Sequence, residues 1–264
     1  MTHVDRSYAS AFRLFEEIVG FPLPSRECSL ADIHVFMDGL IKRESGAATI
    51  GMRLSAIGSW CRDHNQMSIT MHPEIRARMA GLNSTYKRKQ KSAISNQLLS
   101  EITKTCSGSL IDIRDVAILQ LGQSAGLRRS ELVALDYGDV VFRGPRMTVY
   151  IRDREEFVVV GAIASLQAWL TASGITEGPL FRSVSRHSSV SCYNQQRKRL
   201  TDNMVPYIVK KHARRFGLDP KLYSGHSLRA GMVTQATSDG VGYQDTRIRS
   251  RHASLSALEN CVRL

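Results

Sequence analysis

Apolar residues recur at helical spacing through the first 86 residues, and the breaks between them divide that stretch into four helices. Tyr8, Phe12, Phe15 and Val19 fall on one face, and Gly20 with Pro22 closes the segment. Ser29 is a good N-cap for a second helix carrying Ile33, Phe36, Met37, Leu40 and Ile41. Ser45-Gly46 interrupts the pattern. A third helix runs over about 47–64, with Ile50, Leu54, Ile57 and Trp60 on one face and Arg53 and Arg62 off it. Pro73 is placed to start the fourth, through Ile75, Met79 and Leu82.

The pattern then changes. Residues 83–92 are polar, lack apolar periodicity and gather Lys87, Arg88, Lys89 and Lys91. Helical periodicity returns over 95–106 and 110–125. Residues 147–152 and 156–160 are β-branched and aromatic around a short polar turn, which predicts a hairpin. A helix around Trp169 follows over 162–172, and then a basic helix over 193–216 with Arg197, Lys198, Arg199, Lys210, Lys211, Arg214 and Arg215. Ser224 caps another helix, and a short amphipathic one follows His252. The expected fold class is mainly α with a small β-sheet. The expected organisation is a helical domain over 1–86, a basic linker over 87–92 and a larger domain over 93–264.

Charge narrows the partner. The chain has 36 Lys and Arg against 24 Asp and Glu, a formal net charge of +12, and such an excess points to a polyanion, most often nucleic acid. Taken singly, each basic residue is more simply a solvated side chain; the clusters carry the inference. Cys28, Cys61, Cys106, Cys192 and Cys261 are scattered and form no C-x-x-C pair, so neither a zinc site nor a disulfide framework is indicated. No apolar run approaches a membrane span, and the expected location is the cytoplasm.

Candidate chemistry lies in two places. Residues 124–135 read Ser-Ala-Gly-Leu-Arg-Arg-Ser-Glu-Leu-Val-Ala-Leu, with Arg128 at a turn after Gly126 and Glu131 three residues on. Later, His226 and Arg229 open the helix capped by Ser224, and Arg251-His252 precede the amphipathic segment that ends near Cys261. A proton-handling imidazole beside a permanently charged fork suits a phosphate oxygen.

Together these motifs resemble the tyrosine recombinases, the phage integrase family of DNA strand-exchange enzymes. G-L-R-x-S-E is similar to that family's first motif, and H-x-x-R with a second His to its later ones. The resemblance implies an N-terminal four-helix core-binding (SAM-like) domain and an α+β catalytic domain that close around double-stranded DNA as a homodimer or homotetramer. It implies Arg128, His226, Arg229 and His252 as catalytic residues and Glu131 as a supporting carboxylate, with no metal or cofactor. The nucleophilic Tyr is expected nine residues after His252, where this chain has Cys261, and no Lys lies between Met147 and Val160 to serve as the family's leaving-group acid. Arg53, Arg62, Lys87, Arg88, Lys89, Lys91, Arg197, Lys198 and Arg199 are the expected DNA-binding set. The implied function is site-specific recombination or integration for a mobile element, with cleavage impaired. The alternatives are a DNA-binding accessory or regulatory factor that has lost catalysis, and, more remotely, an RNA-binding or interaction protein.

Overall fold

The computed structural model describes residues 3–25, 27–64, 69–85, 90–144, 146–151, 156–160, 164–185 and 199–263. The chain divides into two compact units, Met1–Lys89 and Gln90–Leu264. No helix among the described residues is long and apolar enough to cross a membrane.

The first unit holds α1 (His3–Val19), α2 (Leu30–Lys42), α3 (Ala47–Asp63) and α4 (Pro73–Thr85). Its apolar stripes meet in one core in which Phe15, Ile33, Phe36, Met37, Leu40, Ile50, Ile57 and Ile75 are fully buried. Phe15 sits edge-on to Phe36, with ring centroids 5.2 Å apart, a favoured aromatic geometry. Ser29 caps α2 in both directions: its Oγ accepts from the Asp32 N–H at 3.2 Å, and the Asp32 carboxylate accepts from the Ser29 N–H at 2.8 Å.

The second unit holds α5 (Asn96–Lys104), α6 (Leu110–Ser124), α7 (Arg129–Ala134), α8 (Ala164–Ser173), α9 (Met204–Arg215), α10 (Gly225–Ser238), α11 (Tyr243–Ser250) and α12 (Leu255–Glu259). Among the described residues its sheet has three antiparallel strands in the order β1-β2-β3, with β1 (Val140–Arg143), β2 (Arg146–Ile151) and β3 (Glu156–Val160). The pattern predicted β2 and β3. It missed β1, a four-residue strand directly after the 137–139 turn, too short for an alternation to show. The core behind the sheet gathers Ile118, Leu121, Met147, Val149, Leu166, Trp169 and Phe181, and the Trp169 indole N–H donates to the Leu180 carbonyl at 2.9 Å. The fold is mainly helical with a small sheet, as the periodicity predicts.

The basic helix needs correction. Among the described residues it starts at Met204, not near 193, and Arg199 lies in an isolated bridge with Arg182. Part of its charge is neutralised from within. Asp112 and Asp115, both on α6, accept from Lys211 at 3.3 and 2.6 Å, and Asp112 also accepts from Arg215 at 2.7 Å. The fully buried His212 ring faces Asp115 at 3.2 Å. Burial alone would raise the Asp112 carboxyl, but Arg215, the Ser107 N–H and hydroxyl, and Lys211 outweigh it and hold the group below the usual carboxylate range. This network joins α6 to α9. Lys210 and Arg214 remain exposed on the same helix.

Candidate active site

Four segments of the second unit build the site, and local chemistry sets each of them. Helix α6 ends in a Schellman turn: Gly126 N–H donates to the Gln123 carbonyl at 3.0 Å and Leu127 N–H to the Gly122 carbonyl at 3.1 Å. Gly126 has φ +56° there, a conformation that glycine adopts without strain. The turn delivers Arg128 to the start of α7. Glu131, in the first turn of α7, folds back so that its Oε2 accepts from the Arg128 N–H at 2.8 Å while Oε1 takes the Arg128 guanidinium. Burial would raise the Glu131 carboxyl, yet the Arg128 N–H, the Arg128 guanidinium and Arg251 together lower it, so it stands as a charged anchor.

Ser224 caps α10, its Oγ accepting from the His226 N–H at 3.3 Å. His226 and Arg229 share this helix but not their burial: His226 is exposed, and Arg229 is 3 % exposed. Arg229 Nη1 donates to the Gly126 carbonyl at 2.6 Å, and Nε donates to His252 Nε2 at 3.4 Å. Its Nη2 is closed off from solvent and has no hydrogen-bond partner among the described residues. An unsatisfied buried donor of this kind costs about 1–3 kcal/mol. Burial, then Arg128 and Arg251, lower the Arg229 guanidinium to about 10 despite the opposing Glu131. At neutral pH it is still charged.

His252 follows α11, and its tautomer can be read from its neighbours. The Ser250 hydroxyl donates to the Thr246 carbonyl at 2.6 Å, so Ser250 Oγ accepts from His252 Nδ1–H at 2.6 Å. The Nε2 lone pair is then left to face Arg229 Nε. Burial, then Arg229, Arg128, Arg251 and His226, push the His252 imidazole down to about 4. The ring is neutral at pH 7, with an acceptor nitrogen at the centre of a cationic site.

The folded value lies below the ordinary imidazole value of 6.5, so His252 stabilises the fold fully above about pH 6.5, and that contribution is lost as pH falls toward 4. His252→Gln is therefore expected to flatten the loss of melting temperature between pH 6.5 and 4.5 relative to the wild-type chain. Parallel thermal melts across that range check it, and identical slopes would refute it.

Sequence reasoning missed Arg251. It is 8 % exposed, and its Nη2 donates to the Gly126 carbonyl at 3.1 Å and to Glu131 Oε2 at 3.3 Å. Its own carbonyl accepts from Arg128 Nη2 at 3.0 Å. Four of the motif positions thus converge: Arg128, Glu131, Arg229 and His252 are linked directly or through Arg251 and Gly126, while His226, exposed on α10, acts on His252 through its charge.

Cys261 is half-buried and lies beyond the end of α12, in the turn after Asn260, where its N–H donates to the Leu258 carbonyl at 2.7 Å. Burial raises its thiol above the ordinary value, more than Arg229 and Arg263 lower it. At neutral pH the sulfur is protonated and a poor nucleophile.

The expected DNA-binding residues scatter more widely. Arg62 is exposed and lines a cavity of about 250 Å³ with Tyr8, Thr70, Arg76 and Met79. Arg53 is half-buried and reaches Ser45 Oγ at 3.5 Å. Lys91 Nζ donates to the Lys221 carbonyl at 2.5 Å. Arg199 is committed internally, to the Val133 and Leu135 carbonyls at 2.8 and 3.0 Å and to Asp136. Lys87, Arg88, Lys89, Arg197 and Lys198 lie outside the described residues, as does the hairpin turn at 152–155 with Arg152 and Arg154.

Comparison with known proteins shows the family. An integrase/recombinase xerD homolog of Selenomonas ruminantium is 27% identical over 235 residues, covering 80% of this chain and 67% of that protein. Tyrosine recombinase XerC of Herpetosiphon aurantiacus is 28% identical, covering 86% of this chain and 73% of its own. Among solved structures, the Tn1549 transposon integrase in complex with transposon right end DNA superposes with a TM-score of 0.70 at 13% identity, over 100% of this chain and 90% of that one. XerH bound to palindromic difH substrate gives 0.68 at 17% identity, over 97% and 75%. The pattern of the phage integrase family itself matches residues 93–260, well over half of the sequence, and the chain belongs to that family.

Proposed function

We propose that this protein binds duplex DNA in site-specific recombination, holding one backbone phosphate between Arg128 and Arg229 beside His252, and that its own strand cleavage is impaired. The observation that carries the reading is the unpartnered Nη2 of Arg229, buried beside a second arginine and a neutral imidazole. A non-bridging phosphate oxygen is the partner whose charge and geometry fit a guanidinium fork. Because Nη2 is closed off in the free chain, the residues over it must shift to admit the anion.

The chemistry follows from the charges. A phosphodiester under attack gathers extra negative charge on its oxygens, and preorganised cations stabilise that state more than the ground state. Arg128 and Arg229 supply the cations, and Glu131 fixes Arg128. His252 Nε2, held as an acceptor, is placed to take a proton from an attacking hydroxyl. The attacking group is what this chain lacks, since Cys261 is a short, protonated thiol and the hairpin has no Lys to protonate a leaving oxygen. Those two features favour a second reading, an accessory factor that keeps the phosphate cage without catalysis. A lambda integrase dimer bound to a core site superposes with a TM-score of 0.66 at 13% identity, and we infer similar assembly on DNA for this chain in the cytoplasm.

A nicked half-site that traps covalent intermediates tests the proposal. The wild-type protein is expected to bind duplex DNA with an affinity that falls at least tenfold between about 50 and 200 mM salt, and to give no adduct that survives SDS. An SDS-stable adduct would show that cleavage is intact. Salt-insensitive or absent binding would remove DNA as the partner.

A further inference from the structure

Among the described residues only Glu44 and Arg251 combine a side chain with positive φ. Glu44 is exposed at the end of α2, whereas Arg251, at φ +56°, is buried at the end of α11. Glycine would make the same turn without strain. What a glycine could not supply is the guanidinium, which reaches the Ala125 carbonyl at 3.3 Å, the Gly126 carbonyl at 3.1 Å and Glu131 Oε2 at 3.3 Å.

We propose that Arg251 is a positioning residue of the phosphate site: it shares the Glu131 carboxylate with Arg128 so that the pair stays net positive, and its left-handed backbone sets its carbonyl against Arg128 and His252 against Arg229. The inference rests on the phosphate reading above and deepens it. One carboxylate neutralises one guanidinium. If Glu131 paired with Arg128 alone, that corner of the site would offer a phosphate a neutral pair. With Arg251 on Oε2, three guanidiniums face one carboxylate among the described residues, a net charge of two in favour of the anion. The Gly126 carbonyl, accepting from both Arg229 Nη1 and Arg251 Nη2, ties the second arginine to the same frame.

Lys and Met at position 251 carry the same backbone strain and similar length, and differ in charge. The test is binding of inorganic phosphate, followed through the imidazole NMR signals of His252, with melting temperature as the control for folding. Arg251→Met is expected to bind phosphate roughly tenfold more weakly than the wild-type chain. Arg251→Lys should stay within about threefold of it. Equal phosphate affinity for the Met and Lys variants would overturn the inference. Arg128→Met separates the two levels: if it weakens phosphate binding while Arg251→Met does not, only the role of Arg251 falls. If Arg128→Met also has no effect, the phosphate reading fails, and the inference with it. Should Arg251→Met not fold, Arg251→Gly removes the same charge and relieves the turn, and its affinity is read in the same way.

Discussion

Cys261→Tyr is expected to form a covalent complex with DNA, which the wild-type chain is expected not to form. Cys261 sits in the turn after α12, close enough to Arg229 for each side chain to shift the other's ionisation. Its sulfur hangs one methylene from the backbone, and a phenol would reach a ring's width further toward the same guanidinium. His252 Nε2 carries the ring's one lone pair and can take the phenolic proton once Arg229 Nε releases it to bind phosphate. The leaving group remains a difficulty, because no Lys lies between Met147 and Val160. A substrate with sulfur in place of the bridging 5′ oxygen avoids it, since a thiolate departs without protonation. The adduct should therefore form on that substrate, and cleavage of the ordinary phosphodiester should be slower by roughly 10²–10⁴-fold, the usual worth of general acid catalysis. Gel separation after SDS reads both. No adduct on either substrate would contradict the expectation that the phosphate site is otherwise intact.

The second large effect concerns Arg229. In the Cys261→Tyr background, Arg229→Met is expected to slow adduct formation by roughly 10²–10³-fold, about 3–4 kcal/mol of transition-state stabilisation. Arg229 Nη2 is closed off without a hydrogen-bond partner among the described residues, so its interaction is made only when phosphate is present. Met fills much of the same buried volume, while the Gly126 carbonyl keeps Arg251 as a donor, which limits the cost to folding. Duplex binding away from the site should change far less than cleavage. A parallel fall in melting temperature, nonspecific binding and adduct yield would instead mark Arg229 as structural.

Much of this fold was legible beforehand, for physical reasons that differ by element. The four helices of the first unit announce themselves because each buries one stripe and begins at a recognisable cap or break, such as Ser29 or Pro73. β1 did not, because four residues carry too little alternation. The basic helix was read too long and too free. Charge along a sequence does not reveal that Asp112 and Asp115, nearly a hundred residues earlier, neutralise Lys211 and Arg215. Arg128, Glu131, Arg229 and His252 were legible as motif positions, and their geometry required the structure. Arg251 was hidden beside His252. Its one sequence signal was the absence of a glycine between the end of α11 and the following turn, where a left-handed residue is common.

The claim that most depends on measurement is that two distant arginines close on one phosphorus. A crystal structure of the protein on a DNA duplex decides it. The expected result is a single backbone phosphate within hydrogen-bond distance of both Arg128 and Arg229 Nη2, with His252 Nε2 beside it. The contradicting result is phosphates lying only along exposed basic residues, such as Lys210 and Arg214, while Arg229 Nη2 stays unpartnered.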